Sequence, residues 1–558
     1  MKNKIVYLFI LLTAVLACSD DFTEQTAFGS LSDESLKNAA GVDLLLIGAY
    51  SMLDGMSATG GDDWFKSGDN WWFDVMSDDA HKGSTDGDQA DLFLLETYDW
   101  GSANPYTSGK WRSLYAAVNR ANAVINQITL ITEGDFSQQL AEARFLRGFY
   151  NFELQKIWGN VSYISEENFA AFEFNQPNTG PIWDKIEADF EYAATNLPGL
   201  QADIGRATSW AAKAFLGKAQ LYQGDKMSAA LVTLNDVVLN GPYALNSEFT
   251  NNFKEVGENS SESLLAIQFT ADETLSYNGN RGGTLNFTGP NGWCCGFYQA
   301  SQDLVNAYQT AAGLPLLDTY NTTDVTSDYG VNSSDPFTPH TGPLDPRLDY
   351  TVGRRGIEYN GYGIHPGKDW IRASFADISG PYMTKKNVYN NGEDGNVGTG
   401  GWGEQRSGIN YHLMRFADVL LMAAEAAAET GDISTALSYV NRVRNRAKNM
   451  TYVKDLAGAD AANYVIEPYS SFPDADYAVK AVRFERRLEL GVEGHRLFDL
   501  RRWGNSASVI SAYISNEART ITPFGVAANA YQAKHDLSPI PLNAIDLSQD
   551  IIIQNTGY

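Results

Sequence analysis

The chain has 558 residues, of which 41 are Lys or Arg and 68 are Asp or Glu, so its formal charge is −27. This acid excess argues against a nucleic-acid partner, because phosphate binding requires clustered basic side chains. Three cysteines exclude a disulfide scaffold, and a hydrophobic share of 44% excludes wholesale disorder. A large, acidic protein remains, with an aromatic share of 12% and enough chain to bury a large core.

The N-terminus indicates export. Two lysines precede an apolar run of 13 residues from Ile5 to Ala17, which is too short to span a bilayer. We therefore predict a signal peptide over 1–17. Val15-Leu16-Ala17-Cys18 resembles a bacterial lipobox, which predicts lipidation of Cys18, and the alternative is an ordinary signal peptide with an incidental cysteine. The acidic stretch that follows is predicted to be a tether over 18–32.

Helical patterns dominate the readable parts of the chain. Apolar residues at helical spacing predict helices over 33–53, 111–131, 136–158 and 183–197, and another that starts near Thr208. Two helix pairs share a pattern in which Gly ends the first helix and Asp caps the second, at Gly224-Asp225 and Gly431-Asp432. A small Ala four residues later, Ala229 or Ala436, is expected to let the helices approach. This pattern indicates tetratricopeptide-like hairpins or two ordinary antiparallel pairs.

Two stretches interrupt the helices. Residues 55–109 and 250–410 are rich in Gly, Asn, Asp, Tyr and Trp, and they predict turns and short strands, for example over 264–269. Long irregular insertions in a compact protein are usually functional. The sequence thus predicts a mainly α-helical scaffold with two aromatic insertions.

Several segments of the chain form a characteristic series. They are Arg-Phe-Leu-Arg-Gly-Phe-Tyr at 144–150, Gly-Arg-Ala-Thr at 205–208, the stretch 415–426 with 441–447, Glu-Arg-Arg-Leu-Glu-Leu at 485–490 with Glu-Gly-His-Arg-Leu-Phe-Asp-Leu-Arg-Arg-Trp-Gly at 493–504, and Pro-Ile-Pro at 539–541. Together these segments resemble the SusD/RagB family of outer-membrane nutrient-binding lipoproteins.

The resemblance implies a tetratricopeptide-like superhelix with a loop-rich ligand face. It divides the mature chain into an N-terminal region, 33–250, and a C-terminal region, 251–558. It further implies a lipid-anchored protein at the cell surface that binds oligosaccharide, is not an enzyme, and partners a SusC-like TonB-dependent transporter. Two alternatives remain open: a surface scaffold that binds peptide or protein, and a surface glycoside hydrolase. Within the motif 485–504, mixed Arg and acidic residues predict an internal charge network, with an anion site as the alternative.

Sugar binding combines aromatic faces with polar groups that bond hydroxyls. The insertions supply both, and the favoured platforms are Trp71, Trp72 and Trp293. Because neighbouring side chains in extended backbone face opposite ways, Trp71 and Trp72 are not expected to contact one sugar together. About half of these aromatics are expected to be buried under the loops instead. The remaining predicted ligand residues are Asp62, Asp63, Trp64, Asn70, Tyr98, Trp100, Tyr298, Arg372 and Trp402.

Cys294-Cys295 stands beside Trp293 and predicts a vicinal disulfide after export, with two buried thiols as the alternative. The six histidines match no metal-ligand spacing, and no cofactor or metal is predicted. Asp78 and Asp79 are a poor glycosidase pair, because adjacent carboxylates do not flank one scissile bond.

Overall fold

The computed structural model describes residues 33–53, 70–270, 295–372, 377–386, 388–393, 396–399 and 405–558. Helices carry the fold, as predicted. In chain order they are α1 Ala39–Tyr50, α2 Ala90–Glu96, α3 Pro105–Thr129, α4 Ser137–Trp158, α5 Glu166–Ala170, α6 Trp183–Asn196, α7 Ser209–Gln223, α8 Met227–Asn240, α9 Gln302–Ala307, α10 Leu348–Thr351, α11 Phe416–Glu429, α12 Ile433–Asn449, α13 Ala475–Leu490, α14 Arg496–Arg502, α15 Ser506–Glu517, α16 Thr522–Ala527 and α17 Leu542–Ser548.

The strands are short, and in the described part of the chain they form five antiparallel pairs: β1–β3, β2–β10, β4–β5, β6–β7 and β8–β9. Their bounds are β1 Ala80–Gly83, β2 Ser263–Ile267, β3 Phe297–Ala300, β4 Thr310–Ala311, β5 Leu314–Pro315, β6 Val352–Gly353, β7 Met383–Thr384, β8 Val397–Thr399, β9 Gln405–Ser407 and β10 Tyr411–Arg415. The strand predicted over 264–269 is β2.

The long helices stack in sequence order into the predicted superhelix. Helix α3 packs on α4, α4 on α6, α6 on α7 and α7 on α8. Helix α8 then packs on α11, which also contacts α12 and α13. One continuous apolar core runs through this stack. No helix among the described residues is both long enough and apolar enough to cross a membrane.

The two predicted helix pairs are present, but the predicted cap and inward-facing Ala of the first pair are wrong. Asp432 caps α12 by accepting a hydrogen bond from the Thr435 N–H, and Ala436 is buried. Helix α8 instead begins at Met227 without a side-chain cap, so Ala230 rather than Ala229 faces the core.

The close approach of α7 and α8 comes from a glycine. A β-carbon on Gly217 would lie 2.6 Å from Leu234 Cγ, so only glycine admits Leu234 at this contact.

The first helix also starts later than predicted. Residues 33–36 form a 3₁₀ turn, and α1 begins after Asn38, whose side chain accepts a hydrogen bond from the Gly41 N–H. Asn38 is thus the N-cap, five residues after the predicted helix start at residue 33.

Candidate functional site

The insertion over 250–410 begins and ends at an antiparallel strand pair, β2 with β10. Strand β2 ends at Ile267, directly opposite Tyr411 at the start of β10, and β10 leads into α11. A second pair, β1 with β3, places Ala80 opposite Ala300 and so joins the two insertions. The scaffold therefore brings both aromatic stretches to one side of the superhelix.

We call this side the loop face: Arg372 lies at its surface, and Trp71, Tyr298, Tyr389 and Tyr411 are buried beneath it. The Trp71 ring centroid lies 6.4 Å from that of Tyr298 and 5.4 Å from that of Tyr411. Trp71, Tyr389 and Tyr411 line one small cavity. Arg372 adjoins the stretch before β3, because its Nη1 donates to the Cys295 carbonyl at 3.4 Å.

The small cavity has a volume of about 20 Å³, enough for one water molecule and too small for a sugar ring. Another cavity has a volume of about 420 Å³, in the size range of small-molecule sites. Its walls include Ile47, Ile204 and Ile267, and Arg206 covers the Tyr50 ring at 5.6 Å from its centroid. Aliphatic walls and a covered ring do not provide an aromatic sugar platform. This larger cavity is therefore a weak candidate for glycan.

Trp71 and Trp72 lie beneath the loop face as core residues, in place of the sugar platforms expected from the sequence. They belong to a 3₁₀ helix, Trp71–Met76, and not to extended backbone. Only 3% of Trp71 and 1% of Trp72 is exposed. Trp72 stacks on Phe73 at 3.8 Å and meets Tyr106 edge-on at 5.5 Å. Neither indole presents a face to a ligand.

Tyr98 and Trp100 are also buried, which corrects their predicted role. The Tyr98 ring lies 5.4 Å from Tyr531, and the Trp100 ring lies 4.5 Å from His535. The partners come from the last 30 residues of the chain, which no local pattern in 98–100 could reveal. These two aromatics fasten the C-terminal segment to the scaffold.

Asn70 and Tyr298 are likewise buried. Asn70 Nδ2 donates to Glu153 Oε2 at 3.1 Å, so its amide ties the loop to α4. Tyr298 stands in the left-handed region, with φ of 57°, which turns its side chain under the loop face toward Trp71. Both residues support the loop face from below rather than facing a ligand.

Among the predicted ligand residues that the structure describes, Arg372 is the one at the surface. Its side chain is 40% exposed, and its Nη1 lies 2.9 Å from Oδ2 of Asp88, which is 29% exposed. The sequence analysis did not include Asp88 among the ligand residues, although the sequence Asp86-Gly87-Asp88 is typical of an exposed turn. The buried Lys82 ammonium holds this turn by donating to the carbonyls of residues 83, 85 and 88. Arg372 and Asp88 thus present both donors and acceptors for hydroxyl groups.

The other predicted residues fall outside the described part of the chain. They are Cys18, Asp62, Asp63, Trp64, Trp293, Cys294 and Trp402. Cys295 takes part in a disulfide bond, and Cys294 as its partner stays a prediction. The described residues contain no cluster of three or more His, Cys, Asp or Glu side chains suited to a metal ion.

Two family profiles match this chain. The profile of the SusD family matches residues 261–558, and a profile described as starch-binding and associating with the outer membrane matches residues 47–221. The first match alone covers more than half of the chain. This chain belongs to the SusD family.

Curated SusD-like relatives align with almost the whole chain. A SusD-like protein of Bacteroides ovatus is 26% identical over 538 residues, which cover 90% of this chain and 83% of the relative. SusD-like protein P2 of Formosa agariphila is 26% identical over an alignment of 583 positions, and the alignment covers 100% of both chains.

Solved SusD-like structures share the fold. A laminarin-binding SusD-like protein superposes with a TM-score of 0.66 at 22% identity and covers 93% of this chain and 100% of its own. Surface glycan-binding protein A of Bacteroides thetaiotaomicron, in complex with laminarihexaose, superposes with a TM-score of 0.65 at 21% identity and covers 93% and 99%.

The SusD motif at 485–504 forms the predicted charge network, buried under the loop face. Arg487 contacts Asp79 at 2.8 Å, Asp303 at 2.8 Å and Asp78 at 3.0 Å. Arg496 holds both oxygens of Asp78 at 2.8 Å. Burial raises the pKa of Asp78, but Arg487 and Arg496 outweigh it and lower the pKa to about 2.

The Asp78–Asp79 pair is therefore a structural anchor. Both carboxylates are buried against arginines, so neither is open to a glycosidic bond.

Lys386 links the motif to the small cavity. Its ammonium donates to the carbonyls of Glu489 and Gly491 and to Glu493 Oε1, at 2.7 to 3.0 Å. Lys386 and Glu493 both line that cavity beside Trp71. The SusD motif thus acts as a rigid base for the loop face and not as a site for an anionic ligand.

Proposed function

We propose that this protein is a cell-surface lipoprotein that captures neutral oligosaccharide and delivers it to a TonB-dependent transporter. Membership of the SusD family carries the proposal. Two structures that share the fold over 93% of this chain are named for binding laminarin or laminarihexaose. The proposal includes lipidation at Cys18, location at the outer membrane and the absence of catalysis.

The exposed part of the loop face suits a neutral sugar. Arg372 offers planar N–H donors and Asp88 offers acceptor oxygens, and hydroxyl groups need both kinds of partner. Because the two charges neutralise each other, the pair does not select for an anionic ligand. Stacking faces would come from Trp64, Trp293 and Trp402, which the sequence places on the two insertions.

The first test is affinity gel electrophoresis of the purified chain, without its signal peptide, against a panel of neutral polysaccharides that includes laminarin. Retardation by a panel member, followed by a saturable isothermal titration with its oligosaccharide, is the expected result. A chain that no glycan retards would favour the peptide-binding alternative. Release of shorter oligosaccharides during incubation would reveal a glycoside hydrolase and overturn the proposal.

A further inference from the structure

The segment between α4 and α6 carries three phenylalanines within six residues, and two of them are exposed. Phe172 is 81% exposed and Phe174 is 41% exposed, while Phe169 is half-buried. We call Phe169, Phe172 and Phe174 the phenylalanine loop. Clustered exposed aromatics mark interaction sites more often than scattered apolar residues do.

The backbone at Phe172 strengthens this reading. Helix α5 ends in a Schellman motif, in which the Phe172 N–H donates to the Phe169 carbonyl and the Glu173 N–H donates to the Asn168 carbonyl. Phe172 holds the left-handed position of that motif, with φ of 58°, where glycine is strongly favoured. Its ring gains little packing in return, since most of it is exposed. A strained residue without a packing benefit points to a role outside the folded monomer.

The phenylalanine loop is held firmly in place. Ser165 and Asn168 form a capping box at the start of α5. At the other end, Asn178 pairs with the backbone of Ile553, because Nδ2 donates to the Ile553 carbonyl at 2.8 Å and Oδ1 accepts from its N–H at 2.8 Å. A surface that is already ordered loses little entropy when it binds.

The geometry and charge of the phenylalanine loop favour one kind of occupant. The rings meet edge-on, with interplanar angles of 77° for Phe169 and Phe174 and 80° for Phe172 and Phe174, so they make no flat sugar platform. Glu167 and Glu173 are exposed beside them. Two carboxylates would repel an anionic lipid surface and a second copy of the same loop.

We propose that the phenylalanine loop docks into an apolar pocket, rimmed by Lys or Arg, on a protein partner. This inference rests on the proposed function, in which that partner is the transporter. The aromatic rings supply buried anchors, and the two glutamates supply charge complementarity at the rim.

The test uses a variant that removes the rings without straining the fold. Phe172→Gly suits the left-handed backbone, and it is combined with Phe174→Ser. Tagged wild type and variants are purified from detergent-solubilised outer membranes of the native host, and the co-purified TonB-dependent transporter is measured by quantitative mass spectrometry. Leu456→Ser is the control, because Leu456 is 90% exposed in a separate turn.

The double variant is expected to recover at least tenfold less transporter than wild type, with an unchanged or higher melting temperature. The charge reversal Glu167→Lys with Glu173→Lys is expected to have the same effect, and Leu456→Ser none. Equal recovery with the double variant would overturn the inference, as would binding of wild type, but not the double variant, to anionic liposomes. If wild type recovers no transporter yet binds glycan in titration, docking and delivery both fail while glycan capture stands.

Discussion

Gly494 lies directly against Asn70, 424 positions away in the sequence. A β-carbon on Gly494 would come within 2.8 Å of Asn70 Cβ and 3.0 Å of its backbone carbonyl, and Gly494 has φ of 78°. The Gly494 N–H also donates to Asp74 Oδ2 at 2.8 Å. The SusD motif thereby holds the start of the Trp71–Met76 helix, and glycine is the residue that fits.

Gly494→Ala is expected to destabilise the fold by roughly 2–4 kcal/mol, from left-handed backbone strain plus overpacking. Urea denaturation gives the free energy of unfolding. The matched control is Gly224→Ala, which has φ of 81° but no atom near the added carbon, and should lose only the backbone part. Equal losses in the two variants would show that the contact with Asn70 does not matter.

His81 should make stability depend on pH. It is fully buried, with Nδ1 2.7 Å from Glu96 Oε1 and Nε2 2.8 Å from Glu517 Oε1. Burial lowers the pKa of His81, but the hydrogen bonds to the two carboxylates outweigh it and raise the pKa to about 9. Because the unfolded pKa is about 6.5, this stabilisation is complete below about pH 6.5 and is lost as pH rises through about 9.

Chemical denaturation at several pH values between 6 and 9.5 tests this effect. The wild type should lose roughly 3 kcal/mol over the range, whereas His81→Gln should start lower and vary less with pH. A wild type and a His81→Gln variant with parallel pH profiles would contradict a charged His81 in the folded state.

Arg487 should be among the most sensitive positions for folding. Arg487→Met leaves Asp79 and Asp303 buried without their cation, which is expected to cost about 3–5 kcal/mol. Lys480→Met is the control, since Lys480 forms a 2.8 Å pair with Asp318 that is 50% and 72% exposed. The control should change the free energy of unfolding by less than about 1 kcal/mol. A mild effect of Arg487→Met would mean that the network is not needed for folding.

Trp72→Ala should damage folding rather than ligand recognition. Removing a buried indole is expected to cost roughly 3–5 kcal/mol of unfolding free energy. Circular dichroism melts report this loss, and glycan titration below the melting temperature should show a nearly unchanged dissociation constant. A stable variant with weakened glycan binding would return Trp72 to the ligand site.

Arg372→Ala, Asp88→Ala and Trp293→Ala should instead weaken glycan binding. Each loss is expected to be about 1–3 kcal/mol in titrations with the oligosaccharide that the panel identifies. Arg519→Ala is the control, because Arg519 and Asp324 form a 3.1 Å pair of similar exposure, 44% and 35%. If the three site variants bind like the control, the exposed part of the loop face is not the glycan site.

Many helix boundaries could be predicted from the sequence, because they depend on residues that are close together in the chain. Thr208 caps α7 and Gly224 ends it in the left-handed conformation, as their sequence neighbours indicated. The family motif at 485–504 likewise predicted a charge network, because equal mixing of acids and arginines is visible in one stretch. The local pattern was ambiguous at Asp225: the N-cap of α8 is Lys226, one residue later, and the Ala that faces the core shifts by one residue as well.

By itself, the sequence determined the helical scaffold, the two insertions, the family and the acidic character of the chain. Only the tertiary structure decided which of the candidate aromatics belong to the core. Trp72 and Trp100 lie in a Gly-rich stretch of sequence that predicts exposed loops, yet their partners Tyr106 and His535 lie 34 and 435 residues away. Burial depends on such distant contacts, which no local pattern encodes. Asp88 is a further example, because its contact with Arg372 joins residues 284 positions apart in the sequence.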